Sequence, residues 1–294
     1  MFTQFFGNYL LNNRIVTPSQ LAEAIEMKST TRLKLGVLAI NAGYMNSQQV
    51  EEVSETQMSV DKRFGDIAVE KGYLSEGQVD ELLSSQKKGY LLIGQALVDK
   101  GYITNSIFEQ AINNYKTEYK ITNDDFIYED NNNDVISKLY DLTSYSNPDN
   151  YEYYITLLFK NLIRFIGDDF IPLNAEKITS DIILKNVAIQ KICGEFSAIT
   201  AIEANDVAYI KFASRFAKEK LNAVDDLAKA SVSEFLNLHN GLFTVNMSNE
   251  KEIELELNPQ DVFDNKEAKC ENAIIIPVVF VFGKVNFIIA DSMN

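Results

Sequence analysis

Four glycines, Gly7, Gly36, Gly65 and Gly94, stand 29 residues apart, and each follows a large apolar residue: Phe6, Leu35, Phe64 and Ile93. A fixed period of this length is the mark of a stacked supersecondary unit. Seven residues past each glycine come Arg14, Gly43, Gly72 and Gly101, and three beyond those come Thr17, Asn46, Ser75 and Thr104. Glycine suits the left-handed residue that ends a helix, and Ser, Thr or Asn suits the cap that starts the next. Gln20, Gln49 and Gln78 each lie three residues after a cap and complete a reciprocal capping box. The pattern predicts four helical-hairpin units over residues 1–116. Val50 and Val53, and Val79, Leu82 and Leu83, fall at helical spacing, so the second helix of a unit must bury one face against its neighbours.

The rest of the chain is physically different. Residues 1–116 hold 11 basic and 13 acidic side chains, leaving 16 and 29 for the remainder, so most of the net charge of −15 lies after residue 116. Residues 117–148 are acidic and polar, with Asp124-Asp125, Glu129-Asp130 and Asn131-Asn132-Asn133-Asp134, and read as a linker with a short helix over 135–142. Residues 149–294 then form a second domain. A chain of 294 residues, 46% hydrophobic, supports two cores. Its longest apolar stretch, 273–282, contains Pro277 and is half the length a membrane helix needs, and no basic stretch precedes the apolar residues at the amino terminus. These features imply a cytoplasmic protein without membrane insertion. Cys193 and Cys270 form no CxxC pair and read as reduced thiols, and a single histidine, His239, is too few for most metal chemistry. The acidic balance argues against nucleic acid as a partner and favours a protein or a small ligand.

In the second domain, Tyr154, Leu157, Leu158, Asn161, Leu162 and Phe165 give a helical face, and Gly167 and Pro172 break it. Residues 186–193 and 196–203 are β-rich around Gly194-Glu195 and predict a hairpin, followed by a helix over 207–221. A helix over 225–242 ends near Gly241, 252–257 reads as a half-exposed strand, and 273–282 and 285–290 read as strands reversing at Gly283-Lys284. Pro277 predicts a bulge or an edge position. The fold class is therefore α+β in two domains: all-α hairpin repeats, then an α/β domain with an antiparallel sheet and long helices. An open sheet edge could support a homodimer.

Two resemblances to known families follow from these motifs. Lys34-Leu35-Gly36, Gly43 and Gln57, and Arg63-Phe64-Gly65, Gly72 and Gln86, look like the tandem RLG…G…Q motifs of the MshEN domain of type II secretion and pilus ATPases. That resemblance implies a cyclic di-GMP site made by Lys34, Leu35, Gly36, Gln57, Arg63, Phe64, Gly65 and Gln86. Lys34 stands where the family has Arg, and a lysine does not reproduce a bidentate fork. The second resemblance rests on Ser231-Val-Ser-Glu-Phe-Leu-Asn-Leu-His-Asn-Gly241 and the later Asn258-Pro259. These look like the E-x-x-N signature and distant proline of the CheC/CheX/FliY chemotaxis phosphatases. Glu234 and Asn237, three apart in a helix, project at neighbouring heights. Leu158 stands three before Asn161 in the earlier helix, so only one such pair is present, as in the CheX type. Ala230 replaces the frequent Asp or Ser four before the glutamate, and Pro259 lies 22 residues past Asn237, one short of the usual offset.

The resemblance implies a phosphatase acting on a CheY-like receiver that carries an aspartyl phosphate and its own Mg²⁺. Asn237 would orient the attacking water and Glu234 would dock near the receiver's lysine, with no cofactor held by this chain. A non-catalytic adaptor, or a cyclic di-GMP-responsive module tied to motility or secretion machinery, is the alternative. His239, two residues past Asn237, falls about 200° around the helix and reads as structural.

Overall fold

The computed structural model describes residues 2–28, 30–84, 89–119, 136, 139–140, 142–143, 147–178 and 181–294. Gln86, the acidic run 124–134 and most of the helix expected at 135–142 lie outside the described residues. The chain divides into two compact units, Met1–Asn131 and Asn132–Asn294.

The described part of the first unit is helical: α1 (Phe2–Asn12), α2 (Pro18–Met27), α3 (Leu35–Ala42), α4 (Ser47–Ser59), α5 (Phe64–Glu70), α6 (Glu76–Ser84), α7 (Gly89–Asp99) and α8 (Asn105–Glu118). Thr17 and Asn46 make the reciprocal box with Gln20 and Gln49. Ser75 and Gln78 exchange the same two bonds, and Thr104 accepts from the Ile107 N–H. Arg14, Gly43, Gly72 and Gly101 all sit at left-handed φ, between 54° and 75°, so the chain turns identically at each even where the residue is arginine.

The 29-residue glycines have a different task, which the structure makes plain. Gly36, Gly65 and Gly94 lie inside the first helix of their hairpins, where the second helix crosses it. A Cβ on Gly36 would come 2.6 Å from Val50, one on Gly65 3.1 Å from Val79, and one on Gly94 2.2 Å from Phe108. In all three the neighbour is 14 residues on, so the period records a backbone-to-side-chain crossing. The hairpins are also clasped in reciprocal pairs. Glu52 on α4 accepts from Lys71 and Tyr73 (both 2.7 Å), and Tyr44 donates to Glu81 on α6 (2.9 Å), which ties the second hairpin to the third. Glu23 on α2 is bonded by Lys100 and Tyr102, which ties the first to the fourth.

The second unit contains α9 (Pro148–Phe165), β1 (Phe170–Pro172), β2 (Glu176–Ile178), β3 (Ile182–Gly194), β4 (Ala198–Ala204), α10 (Asp206–Ala217), α11 (Asp226–Lys251), β5 (Leu255–Leu257), β6 (Asp261–Ala268), β7 (Cys270–Glu271), β8 (Ala273–Phe280), β9 (Gly283–Ala290) and β10 (Ser292–Met293). Its main sheet runs β1-β8-β9-β4-β3-β5, with β2 also on β8 and β6 also on β3, and every pairing is antiparallel. β4 and the middle of β3, from Asn186 to Gln190, are buried on both faces, as strands covered on both sides must be. On one face Phe212 of α10 packs edge-on against Phe280 and Phe235. On the other, Leu184, Val187, Ile189, Ala201 and Ile288 form a cluster closed by Ala268 and Met293.

Three departures from the expected elements have physical reasons. α11 runs ten residues past Gly241, to Lys251, because Phe243 and Met247 are fully buried; that burial outweighs the roughly 1 kcal/mol cost of an interior glycine. β6 gave no sequence signal because DVFDNKEA neither alternates nor buries much; it is an edge strand held by its backbone ladder to β3. Pro277 lies between two paired strands. Leu173 N–H donates to its carbonyl (2.8 Å), so its missing N–H falls on the β1/β2 side, where the pairing is interrupted at 173–175.

Candidate functional site

Helix α11 starts at Asp225, whose side chain accepts from the Ala228 N–H (2.9 Å), and is pinned to the sheet by Ala228, Val232, Phe235 and Leu236. That burial fixes its rotation. Glu234 is exposed, with no hydrogen-bond or ionic partner among the described residues, and Asn237 is half-buried beside it. Along the same outward stripe lie Leu227 (49% exposed), Ala230, Leu238, Gly241 and Val245 (55% exposed). The result is a ridge of small and apolar side chains with one free carboxylate.

Asn237 does not hang free. Its Oδ1 accepts from Gln190 Nε2 (2.9 Å), and the same nitrogen donates to the Asn258 carbonyl (2.9 Å). That carbonyl is available because of Pro259. β5 pairs Leu257 with Ile192 and β6 pairs Asp261 with Ile189, so three residues, Asn258, Pro259 and Gln260, oppose two, Gln190 and Lys191. This is a one-residue bulge, the place in a sheet where a residue without an N–H is tolerated. Asn258 N–H still bonds the Lys191 carbonyl (3.0 Å), while its own carbonyl is left to a side chain. The two distant parts of the motif, Asn237 and Asn258-Pro259, thus meet at Gln190.

Behind Gln190 the polar contacts continue into the core. Asn240 Nδ2 donates to Gln190 Oε1 and to Thr200 Oγ1 (both 2.9 Å), and Tyr154 on α9 donates to Asn240 Oδ1 (2.7 Å). Burial raises the Tyr154 phenol above its ordinary value, so it stays a donor. Next to Asn240 in the chain and edge-on to the Tyr154 ring, His239 is fully buried, its Nδ1 2.9 Å from Asn161 Nδ2, and burial pushes its pKa down to about 3. The imidazole is therefore neutral, and its Nε2 is buried without a hydrogen-bond partner among the described residues. Gln190, Asn240, Thr200 and Tyr154 were missed in the sequence; the one available signal was a glutamine inside the apolar run of β3.

In the first unit, a cleft of about 500 Å³ brings together Lys34, Leu35, Gly36, Gln57 and Phe64, with Gln95 and Asn105 on its other wall. Arg63, exposed at the start of α5, and Gly65, packed on Val79, do not line it. Gly36 faces Val50 instead of open space. Lys34 Nζ is paired with Asp99 Oδ1 (2.6 Å), which Gln95 Nε2 also bonds (3.0 Å), and Gln57 Nε2 donates to the Lys62 carbonyl (3.0 Å).

No family model and no curated protein matches the sequence. Solved structures similar to part of the chain include a chemotaxis protein CheX from Vibrio vulnificus, 15% identical, covering 48% of this chain and 98% of that one at a TM-score of 0.42. A CheC-like superfamily protein from a Shewanella species is 15% identical and covers 48% of this chain and 96% of that one, also at 0.42. A CheX–CheY–BeF3–Mg complex from Borrelia burgdorferi is 16% identical and covers 48% and 97% at a TM-score of 0.39. At these values the likeness decides nothing about activity, which has to be argued from the residues.

Proposed function

We propose that the second unit is a CheX-like phosphatase that hydrolyses the aspartyl phosphate of a CheY-like receiver. The observation that carries the reading is an exposed, unpaired Glu234 beside an Asn237 whose amide is held in one plane by Gln190. A helix ridge bearing one carboxylate and one oriented amide has no nucleophile of its own. It suits a reaction whose reacting group arrives on a partner. Water attacks phosphorus in line, the bond between phosphorus and the aspartyl oxygen breaks, and inorganic phosphate and a free carboxylate leave. Positioning the water is the protein's contribution, and positioning with electrostatics supplies most of the catalysis in phosphoryl transfer. Asn237 keeps both Nδ2 protons for that water. Glu234 supplies a charge-assisted contact to the receiver's lysine, and Leu227 and Val245 supply apolar area on either side of it. The Mg²⁺ belongs to the receiver.

Decay of phosphorylated CheY-like receivers is measured with Mg²⁺, alone and with the wild-type chain or Asn237→Ala. The expected result is faster decay that Asn237→Ala abolishes. Unchanged decay across all cognate receivers sinks the enzyme and leaves an adaptor.

The first unit has a second reading, as four repeats of one hairpin that bind cyclic di-GMP. The recurrent caps, left-handed turns and glycine crossings support the repeat, and the cleft at Lys34, Leu35, Gly36, Gln57 and Phe64 supports the ligand. Calorimetric titration with cyclic di-GMP, on wild type and Arg63→Ala, decides it. Absence of saturable heat in the wild type removes the sensor. Homodimerisation through a sheet edge is tested by the mass of the full chain in solution.

A further inference from the structure

The amide chain behind Asn237 has a direction, and two backbone carbonyls fix it. A carbonyl only accepts. Gln190 touches the Asn258 carbonyl, so the atom there must be its Nε2, and the Asn237 atom on that same nitrogen must be Oδ1. Thr200 Oγ1 spends its proton on the Gln190 carbonyl (3.0 Å), so it can only accept from Asn240, and the Asn240 atom facing it must be Nδ2. Nδ2 of Asn240 therefore also meets Gln190 Oε1, and its Oδ1 is turned to Tyr154. Both protons of Gln190 Nε2 and both protons of Asn240 Nδ2 are used. Gln190 (2% exposed), Thr200 (1%) and Asn240 (0%) are buried, where an unmatched polar atom is costly, so no member can flip without breaking the rest.

We infer that Gln190 is the positioning residue of the site: it clamps Asn237 with Oδ1 inward and Nδ2 outward, through a bond anchored on the Asn258 carbonyl at the Pro259 bulge. An unclamped asparagine on a half-exposed helix face would rotate about its terminal torsion and present either edge to the water. The clamp leaves one edge on offer. It also accounts for the distant proline, whose bulge frees the carbonyl that orients the clamp. This inference rests on the phosphatase reading for its consequence, but the clamp itself can be observed without any receiver.

Two variants of the full chain test it. Gln190→Met keeps the length of the side chain and removes both donors, and Gln190→Glu puts an acceptor-only group against two acceptors. Steady-state turnover of a phosphorylated receiver is expected to fall about 10²-fold in kcat, with the half-saturating receiver concentration moving less than about twofold. A loss confined to the half-saturating concentration, or a kcat in Gln190→Met within about twofold of wild type, overturns the inference. Side-chain amide resonances give the second readout. In the wild type the Gln190 amide protons exchange slowly and those of Asn237 quickly, and Gln190→Met shifts the Asn237 pair. Slow exchange at Asn237, or an Asn237 pair unmoved by Gln190→Met, overturns the clamp. If the wild-type chain does not accelerate decay, the phosphatase reading falls while the resonances still decide the clamp.

Discussion

Replacing the crossing glycines by alanine should give a graded series set by how far each neighbour can retreat. Alanine in a helix interior gains about 1 kcal/mol over glycine, so a substitution that met no obstacle would stabilise the first unit. At Gly94 the new Cβ falls 2.2 Å from one carbon of the Phe108 ring and 2.7 Å from the next. That ring is fully buried and packed edge-on against Phe6, so it has nowhere to go. Overpacking of this kind costs about 3 kcal/mol, and the net effect of Gly94→Ala is a loss of about 2 kcal/mol. At Gly65 the obstacles are a Val79 methyl at 3.1 Å and a Leu35 methyl at 3.3 Å, and Val79 is only half-buried. There the two terms cancel, and Gly65→Ala is expected within about 0.5 kcal/mol of wild type. Gly36→Ala, with Val50 at 2.6 Å, falls between. Native-state hydrogen exchange at the amides of α7 and α8 reads the opening free energy of this unit directly. Phe108→Leu should recover part of the Gly94→Ala loss. Equal stability of Gly94→Ala and Gly65→Ala would refute the crossing as the reason for the period.

Further outcomes follow from single residues. His239 is neutral in the fold with a pKa near 3 and titrates at 6.5 when unfolded, so its contribution is complete above pH 6.5. It is lost at about 1.4 kcal/mol per pH unit as the pH falls toward 3. Urea unfolding at several pH values should show that extra slope in the wild type and not in His239→Met; equal slopes would contradict a buried neutral imidazole. Arg14 holds φ 54° where the other three hairpins have glycine, so Arg14→Gly should stabilise the first unit by about 1 kcal/mol, read as a rise in thermal midpoint. Asp99→Asn frees Lys34 from its ion pair. If the cleft takes a phosphodiester, that variant should bind cyclic di-GMP more tightly than wild type, and weaker binding would place the anion elsewhere.

The parts legible in the sequence were those set by local physics. Caps at Thr17, Asn46, Ser75 and Thr104 and the left-handed turns eight residues after each Phe6-type position depend on a few neighbouring residues, and the letters report them. Glu234 and Asn237 could be placed on one helix for the same reason. What could not be read was anything decided across the sheet. The end of α11 at Lys251 depends on where Phe243 and Met247 find a core, and β6 exists because β3 offers it a ladder. Gln190 lies 47 residues before Asn237 and 68 before Asn258, and no spacing rule links the three. The recurring glycines were legible as a period but not as a crossing, because the side chain that requires their smallness is contributed by another helix.

The clasps between hairpins set an order for chain synthesis. The inner clasp, Lys71 to Glu52, joins residues 19 apart, whereas the outer one, Lys100 and Tyr102 to Glu23, spans 77 and 79. Closing a short loop costs less entropy and happens sooner. The second and third hairpins can therefore pair while the fourth is still on the ribosome, and the first must wait, its apolar face of Leu21, Ala24 and Ile25 uncovered, until α7 emerges to receive it. Nested closure makes the earliest-made helices the last to settle, and that interval is when a nascent chain of this design is most exposed to wrong partners.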